Sequence, residues 1–160
     1  MGGIAKGYAV DRAIGVLKSR GVRAALVSSG GSTIYALGAP PGERAWDVKV
    51  RDPTDPKRVA FAVGLKDEAL SMAGAQEKSF VSGGVLYSHI MDPTTLWPAS
   101  GVLAVAVVTR TGTEGDALDD AFFVLGPQRS RDYLRRLPST RVHFLLPRGR
   151  GFTDLELVNY

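Results

Sequence analysis

The sequence contains no cysteine. That excludes disulfides, zinc–thiolate sites and a cysteine nucleophile. No run is long and apolar enough to cross a membrane as a helix. The first residues lack the charged-then-apolar pattern of a signal peptide. No internal repeat or low-complexity linker breaks the chain. Nor is its basic charge gathered into one block. The densest stretch holds Arg129, Arg131, Arg135, Arg136, Arg141, Arg148 and Arg150, and such a stretch reads first as solvated surface. Nucleic acid is therefore not an expected partner.

What is present describes an ordinary globular chain. Its 160 residues are one domain's worth, enough to bury a core, so residues 1–160 are read as a single domain. With 44% hydrophobic and 22% charged residues, global disorder is not expected. The formal charge of +4 suits an anionic small molecule such as a nucleotide. Glycine is frequent at 19 residues, so turns and close backbone approaches should be common.

Hydrophobic periodicity places the elements. Val10, Ala13, Ile14 and Leu17 share one helical face, and Gly21 follows as a stop, which predicts a helix over Lys6 to Arg20. Val22 to Val27 reads as a buried strand. It joins a second strand, Thr33 to Leu37, through the polar turn Ser28 to Ser32. Ala45 to Val50, Val59 to Val63 and Val102 to Thr109 read as further strands, the last of them central. Ala69 to Ala73 is a short apolar stretch ending at Gly74. Phe80–Val81 and Val85 to Ile90 flank a Ser82-Gly83-Gly84 turn, a hairpin signal. Asp92 to Pro98 reads as a proline-fixed loop. A helix is expected over Asp116 to Leu125, with Ala117, Ala121, Val124 and Leu125 inward. Pro127 opens another, to about Leu137. Arg141 to Leu146 and Phe152 to Leu157 read as closing strands. Few helices and many hairpin-linked strands predict an α+β fold with a largely antiparallel sheet and a few packed helices.

Three segments could carry chemistry. Gly2-Gly3-Ile4-Ala5-Lys6-Gly7-Tyr8-Ala9 puts glycines and a lysine at a helix N-terminus, whose free N–H groups attract phosphate. It also serves as a plain helix entry. Tyr87 to Ala99 places His89, Asp92 and Thr95 where a strand becomes a loop. There His89 could hold a ligand or move a proton, and His89 and Asp92 could equally hydrogen-bond the loop into shape. In Gly115-Asp116-Ala117-Leu118-Asp119-Asp120-Ala121-Phe122, Asp116 and Asp120 lie one helical turn apart, with Asp119 close to their face. Clustered carboxylates call for a positive neutraliser, and a hard divalent cation, Mg²⁺ above all, is the natural one. Acids in a first helical turn also complement the helix dipole while facing solvent.

Taken in this order, the three segments resemble the ApbE family of FAD:protein FMN transferases. Gly2 to Ala9 matches the body of the family's Asp-Leu-Gly-Gly-Ile-Ala-Lys-Gly-Tyr-Ala. His89 to Ala99 is similar to its His-Ile-Ile-Asp-Pro-x-Thr-Gly-x-Pro-Ala. Asp116 to Ala121 and Phe123 to Gly126 are similar to its Asp-Ala-Leu-Ser-Thr-Ala and Phe-Val-Leu-Gly. Ser28 to Gly38 resembles the glycine-rich turn before Ile-Tyr-Ala-Leu-Gly. The likeness runs over nearly the whole chain.

The resemblance implies an ApbE-like, T-fold-like architecture, of which this chain is the C-terminal portion. It implies Mg²⁺ as cofactor, FAD as substrate, and transfer of FMN to a threonine of an acceptor protein with release of AMP. By analogy the metal ligands are the Gly3 carbonyl, Asp116 and Asp120. Lys6, His89, Ile90 and Asp119 are carried over as FAD contacts, and no catalytic residue is assigned. The chain departs from the pattern in four places. Nothing precedes Gly2 that could match the family's aspartate, and the opening residues read like the inside of a domain, so a chain shorter than its relatives is expected. Asp120 stands where the family has a threonine ligand. Met72-Ala73-Gly74 replaces Thr-Ser-Gly. Leu96 replaces a glycine, and because a left-handed turn is costly for leucine, that loop is expected to differ in shape. An N-terminal half, or a second copy of the chain, is the expected cover for the surface such a half would leave. The competing expectation is an inactive module that keeps a nucleotide or metal site without transfer. Relatives are often periplasmic or membrane-anchored lipoproteins; this chain carries no such signal.

Overall fold

The computed structural model describes residues 2–75, 79–83, 85–149 and 151–158. The expected turn glycine Gly84 and the basic Arg150 lie outside the described residues. The chain runs α1 (Ala5–Ser19), β1 (Ala25–Ser29), β2 (Thr33–Leu37), β3 (Trp46–Arg51), β4 (Val59–Leu65), β5 (Glu68–Gly74), β6 (Ser79–Ser82), β7 (Val85–Ser88), β8 (Met91–Asp92), β9 (Trp97–Pro98), β10 (Ala104–Thr109), α2 (Gly112–Leu134), β11 (Arg141–Arg148) and β12 (Gly151–Val158). The fold is α+β, as expected.

Six strands form one sheet in the order β1-β2-β5-β10-β11-β12, and every neighbouring pair is antiparallel. β10 is buried along its whole length, because its β-branched residues are covered on both faces. Side chains alternate across a strand, and β10 divides its own between two cores. Val105 and Val107 pack with Phe122 and Phe123 of α2. Ala106 and Val108 pack with Val48, Val50, Val63 and Leu65 of the β3–β4 hairpin. The sheet is therefore sandwiched between the two helices and a hairpin, and the candidate carboxylates Asp116 and Asp120 lie on the helix side.

Several expectations change. The Ala69 to Ala73 stretch is a full strand, β5, hydrogen-bonded to both β2 and β10. β1 starts only at Ala25 and is half-buried, because it lies at the sheet edge. Asp92 to Pro98 is no plain loop: Met91–Asp92 pairs with Trp97–Pro98 in a tight antiparallel turn. α2 begins at Gly112, capped by the Thr111 hydroxyl accepting from the Glu114 N–H, and it breaks where Gly126 takes φ +68° and ψ 172° before Pro127. Asp116 is thus in the second turn and not the first. Ala117 and Ala121 are exposed, not inward; Phe122 and Phe123 take the core positions.

Leu96 does not avoid the left-handed turn. It adopts φ +60°, and its N–H donates to the Asp92 carbonyl at 2.8 Å. Asp92 fixes the same turn by accepting from the Thr94 N–H at 2.8 Å. The leucine side chain is 76% exposed, so no packing compensates the backbone strain. Left-handed φ costs a residue with a Cβ about 1–2 kcal/mol, and glycine loses some of that gain to chain entropy. Leu96→Gly is expected to raise stability by about 0.5–1 kcal/mol in urea denaturation; an unchanged or lower midpoint would contradict a strained Leu96.

Candidate functional site

α1 and α2 cross at a pair of glycines. A Cβ added to Gly7 would stand 2.1 Å from the Gly112 carbonyl oxygen, so only glycine permits this approach. The crossing lets each helix cap the other. Ile4, at the head of α1, supplies no side-chain cap. The Gly7 N–H in that first turn donates instead to Asp116 Oδ2 of α2 at 3.0 Å. In return Asp11 of α1 accepts from the N–H groups of Gly112 and Thr113, at 2.7 and 2.9 Å, where α2 starts. First-turn amides have no partner within their own helix, and a carboxylate is the best acceptor for them.

Asp116 is thereby held rigidly. It is 2% exposed, and Lys6 Nζ lies 3.2 Å from its Oδ1. The Thr33 hydroxyl of β2 reaches the same oxygen at 3.4 Å. Behind it on the sheet, Thr33 lies 3.0 Å from the Ser71 hydroxyl of β5, and Ser71 donates to Asp119 Oδ2 at 2.7 Å. With Ser71 donating to Asp119, Thr33 can donate to Ser71, which leaves the 3.4 Å contact to Asp116 as the weakest of the three. Burial pushes Asp119 up to about 7, against the lowering effect of the Ser71 hydroxyl and with added repulsion from Asp120 and Asp116.

The sign of this shift gives a pH dependence. Native Asp119 keeps its proton at pH values where the unfolded chain has lost it. The folded state then binds more protons, so stability falls as pH rises from about 4 to about 7 and stays low above that window. Asp119→Asn is expected to flatten this slope in EDTA-containing buffer and to melt above the parent at about pH 8. Thermal melts at several pH values check it, and a parallel slope in the variant would contradict it.

Asp120 faces the other way, toward solvent. A Cβ on Gly3 would be 3.6 Å from its Oδ2, so Gly3 passes against this carboxylate. Burial raises Asp120, opposed first by the charge of His89 and then by Lys6, while Asp116 adds to the rise. Gly3, Lys6, Asp116, Asp120 and His89 therefore come together at the head of α1. Asp119 is placed behind this group, turned to the sheet. Ile90 is buried beside it: its N–H donates to the Ser88 hydroxyl at 3.0 Å and its carbonyl accepts from the Ala99 N–H at 2.8 Å. Ser88, not His89, makes the hydrogen bond that shapes the start of this loop. His89 is exposed and lines, with Ile90 and Asp120, a cavity of about 850 Å³.

The donors at this site are all hard oxygens. Among the described residues no three acidic or histidine side chains gather to hold a metal. Two carboxylates and a backbone turn make a thin set, of the kind that suits a cation completed by water and by phosphate oxygens. Asp11, Thr33 and Ser71 were not singled out in the sequence. The small residues Gly112 and Gly115 inside a helix were the one signal of close packing: a Cβ at Gly115 would meet the Thr109 hydroxyl at 2.9 Å and Ser71 Cβ at 3.1 Å.

Comparison with known proteins gives the family and the fold. The family model described as ApbE family matches residues 1–144. The chain belongs to the ApbE family. It is 36% identical to the FAD:protein FMN transferase of Treponema pallidum, over 99% of this chain and 46% of that protein. It is 40% identical to the enzyme of the same name from Rhodobacter capsulatus, over 80% of this chain and 24% of that one. Among solved structures, the ApbE protein of Thermotoga maritima superposes with a TM-score of 0.82 at 33% identity, covering 96% of this chain and 49% of the other. The apo flavinyl transferase ApbE of Pseudomonas stutzeri gives 0.79 at 31% identity, over 96% and 47%. The chain spans about half the length of these ApbE relatives, or less. Its mainly antiparallel α+β fold is the fold of that half.

Proposed function

We propose that this chain carries the metal- and pyrophosphate-binding part of an FAD:protein FMN transferase, and that the transfer goes to a threonine of an acceptor protein. The remainder of the flavin pocket is assigned to the part of the ApbE relatives that this chain does not span. The observation that carries the reading is the meeting of Asp116, Asp120, Lys6 and Gly3 at the N-terminus of α1.

The residues fit a Mg²⁺ ion held by Asp116, Asp120 and the Gly3 carbonyl. Bound there, Mg²⁺ supplies neutralisation of the charge on the phosphoryl oxygens. The chain's own groups do the rest. The Ala5 and Lys6 amides at the head of α1, ahead of the bonded Gly7, offer hydrogen bonds to a phosphate. Lys6, half-exposed, can swing from Asp116 to a phosphate oxygen without losing its solvation. Gly7 and Asp11 hold the two helices so that these groups converge. In the transfer, the threonine oxygen bonds to the FMN phosphorus, the bond from that phosphorus to the AMP oxygen breaks, and the hydroxyl proton is released.

Titration calorimetry of FAD into the chain, with Mg²⁺ and then with EDTA, tests the reading. Binding that requires Mg²⁺ is expected. Equal binding in EDTA would reduce the site to a metal-free nucleotide module, and no binding in either buffer would remove the half-site altogether.

A further inference from the structure

The cavity beside Asp120 has a second end that the flavin nucleotide does not explain. Its floor is apolar, made by Leu118, Phe122 and Leu125 of α2 with Leu137 beyond. Past the break at Gly126, Arg129, Tyr133 and Arg136 line its far rim. Arg129 and Tyr133 lie one turn apart on the last stretch of α2, and Arg136 follows in the turn just past its end at Leu134. Both arginines are exposed, and neither guanidinium makes a hydrogen bond or ion pair within the described residues, Asp132 on the same helix included. Tyr133 is 55% exposed between them.

Two exposed guanidinium groups beside an apolar floor match an anionic partner with apolar side chains. FAD itself is a poor match. All its negative charge lies on the pyrophosphate, which the Asp120 end receives, and its adenosine and riboflavin arms are neutral. An arm entering the cavity would bring no charge to complement Arg129 and Arg136. An extended acidic segment of protein meets both demands, with an apolar side chain on Leu118 and Leu125 and carboxylates on the arginines.

We infer that this groove docks the acceptor polypeptide, through an acidic stretch beside the threonine to be modified. The inference rests on the transferase reading for the identity of the partner, while the charge and shape of the groove stand by themselves. Arg129 and Arg136 are then specificity-determining residues and not catalytic ones.

The test uses fluorescence anisotropy with the 160-residue chain. The probe is a labelled peptide of aspartates, leucines and one threonine, and its control replaces the aspartates with lysine. The acidic peptide is expected to bind and to weaken as salt rises, and the lysine peptide not to bind. Two exposed pairs contribute about 1 kcal/mol together or somewhat more, so R129S/R136S should weaken the peptide about ten-fold. Both residues are solvent-exposed, so the double variant should fold, and its Mg²⁺-dependent FAD binding should be unchanged. Absence of peptide binding, or binding indifferent to the double substitution, overturns the proposal. Loss of FAD affinity in the double variant also overturns it and makes the groove a flavin subsite. Arginine-dependent peptide binding without any FAD binding would keep the docking groove and sink the transferase reading.

Discussion

Gly7→Ala is expected to destabilise the protein by about 3 kcal/mol, or roughly 10 °C in melting temperature for a chain of this size. Helix propensity alone argues the reverse, since alanine is favoured over glycine by about 1 kcal/mol inside a helix. Packing decides the sign. The new methyl would fall 2.1 Å from the Gly112 carbonyl oxygen and 2.7 Å from the Thr113 nitrogen. Both atoms are backbone, so no side chain can rotate away, and α1 must lift off α2. The Gly7 N–H then loses Asp116, and Asp11 loses the amides at the head of α2. Gly15 supplies the control. It lies in the same helix with nothing within 4 Å of an added Cβ, so Gly15→Ala should stabilise by about 0.5–1 kcal/mol. Urea denaturation of both variants reads the contrast, and a stabilised Gly7→Ala would mean that the helices do not touch there.

The second large effect is on binding. Asp116→Asn is expected to reduce Mg²⁺-dependent FAD affinity at least ~100-fold, because a lost ligand costs no less than a disturbed outer-shell partner does. The variant is chosen to separate function from folding. An asparagine oxygen still accepts from the Gly7 N–H, so the tertiary cap on α1 survives in weakened form. What goes is the charge that holds Lys6 and would hold the cation. Stability should therefore fall by only about 1 kcal/mol while binding collapses. Calorimetry and thermal melts on one preparation measure both. Intact binding in Asp116→Asn would show that the carboxylate serves only as a helix cap, and the metal assignment would fall with it.

Asp119 and Asp120 show how far reading along the chain can go. They are adjacent, chemically identical and were expected at the same site. One is 4% exposed and bonded to Ser71 of the sheet; the other faces Gly3 and His89. Helical spacing alone put both near the face of Asp116, and only packing against β5 divides them. The misplaced inward residues have a similar origin. Ala117 and Ala121 fit an apolar stripe, but the glycines at 112 and 115 pull α2 so close to α1 and the sheet that the stripe rotates toward Phe122 and Phe123. Leu96 is a different case. The leucine was expected to change the shape of this loop; instead it adopts the left-handed turn under strain, since the Asp92 hydrogen bonds around it hold regardless of the side chain.

By itself the sequence determined most of the strands and helices, though not the central strand β5 or the β8–β9 pair, and it determined the α+β class, the three motif segments and the family. Each depends on residues a few positions apart, where hydrophobic period, turn chemistry and contiguous motifs act. Tertiary structure alone decided which carboxylate caps a helix, which keeps its proton and which faces the cavity. It also decided that two arginines of a basic stretch stand exposed beside an apolar floor. Those outcomes rest on contacts such as Gly7 with Asp116 and Asp11 with Gly112, more than a hundred residues apart in the chain. No local pattern encodes them, because the energy of a buried carboxylate is set by what the fold brings against it.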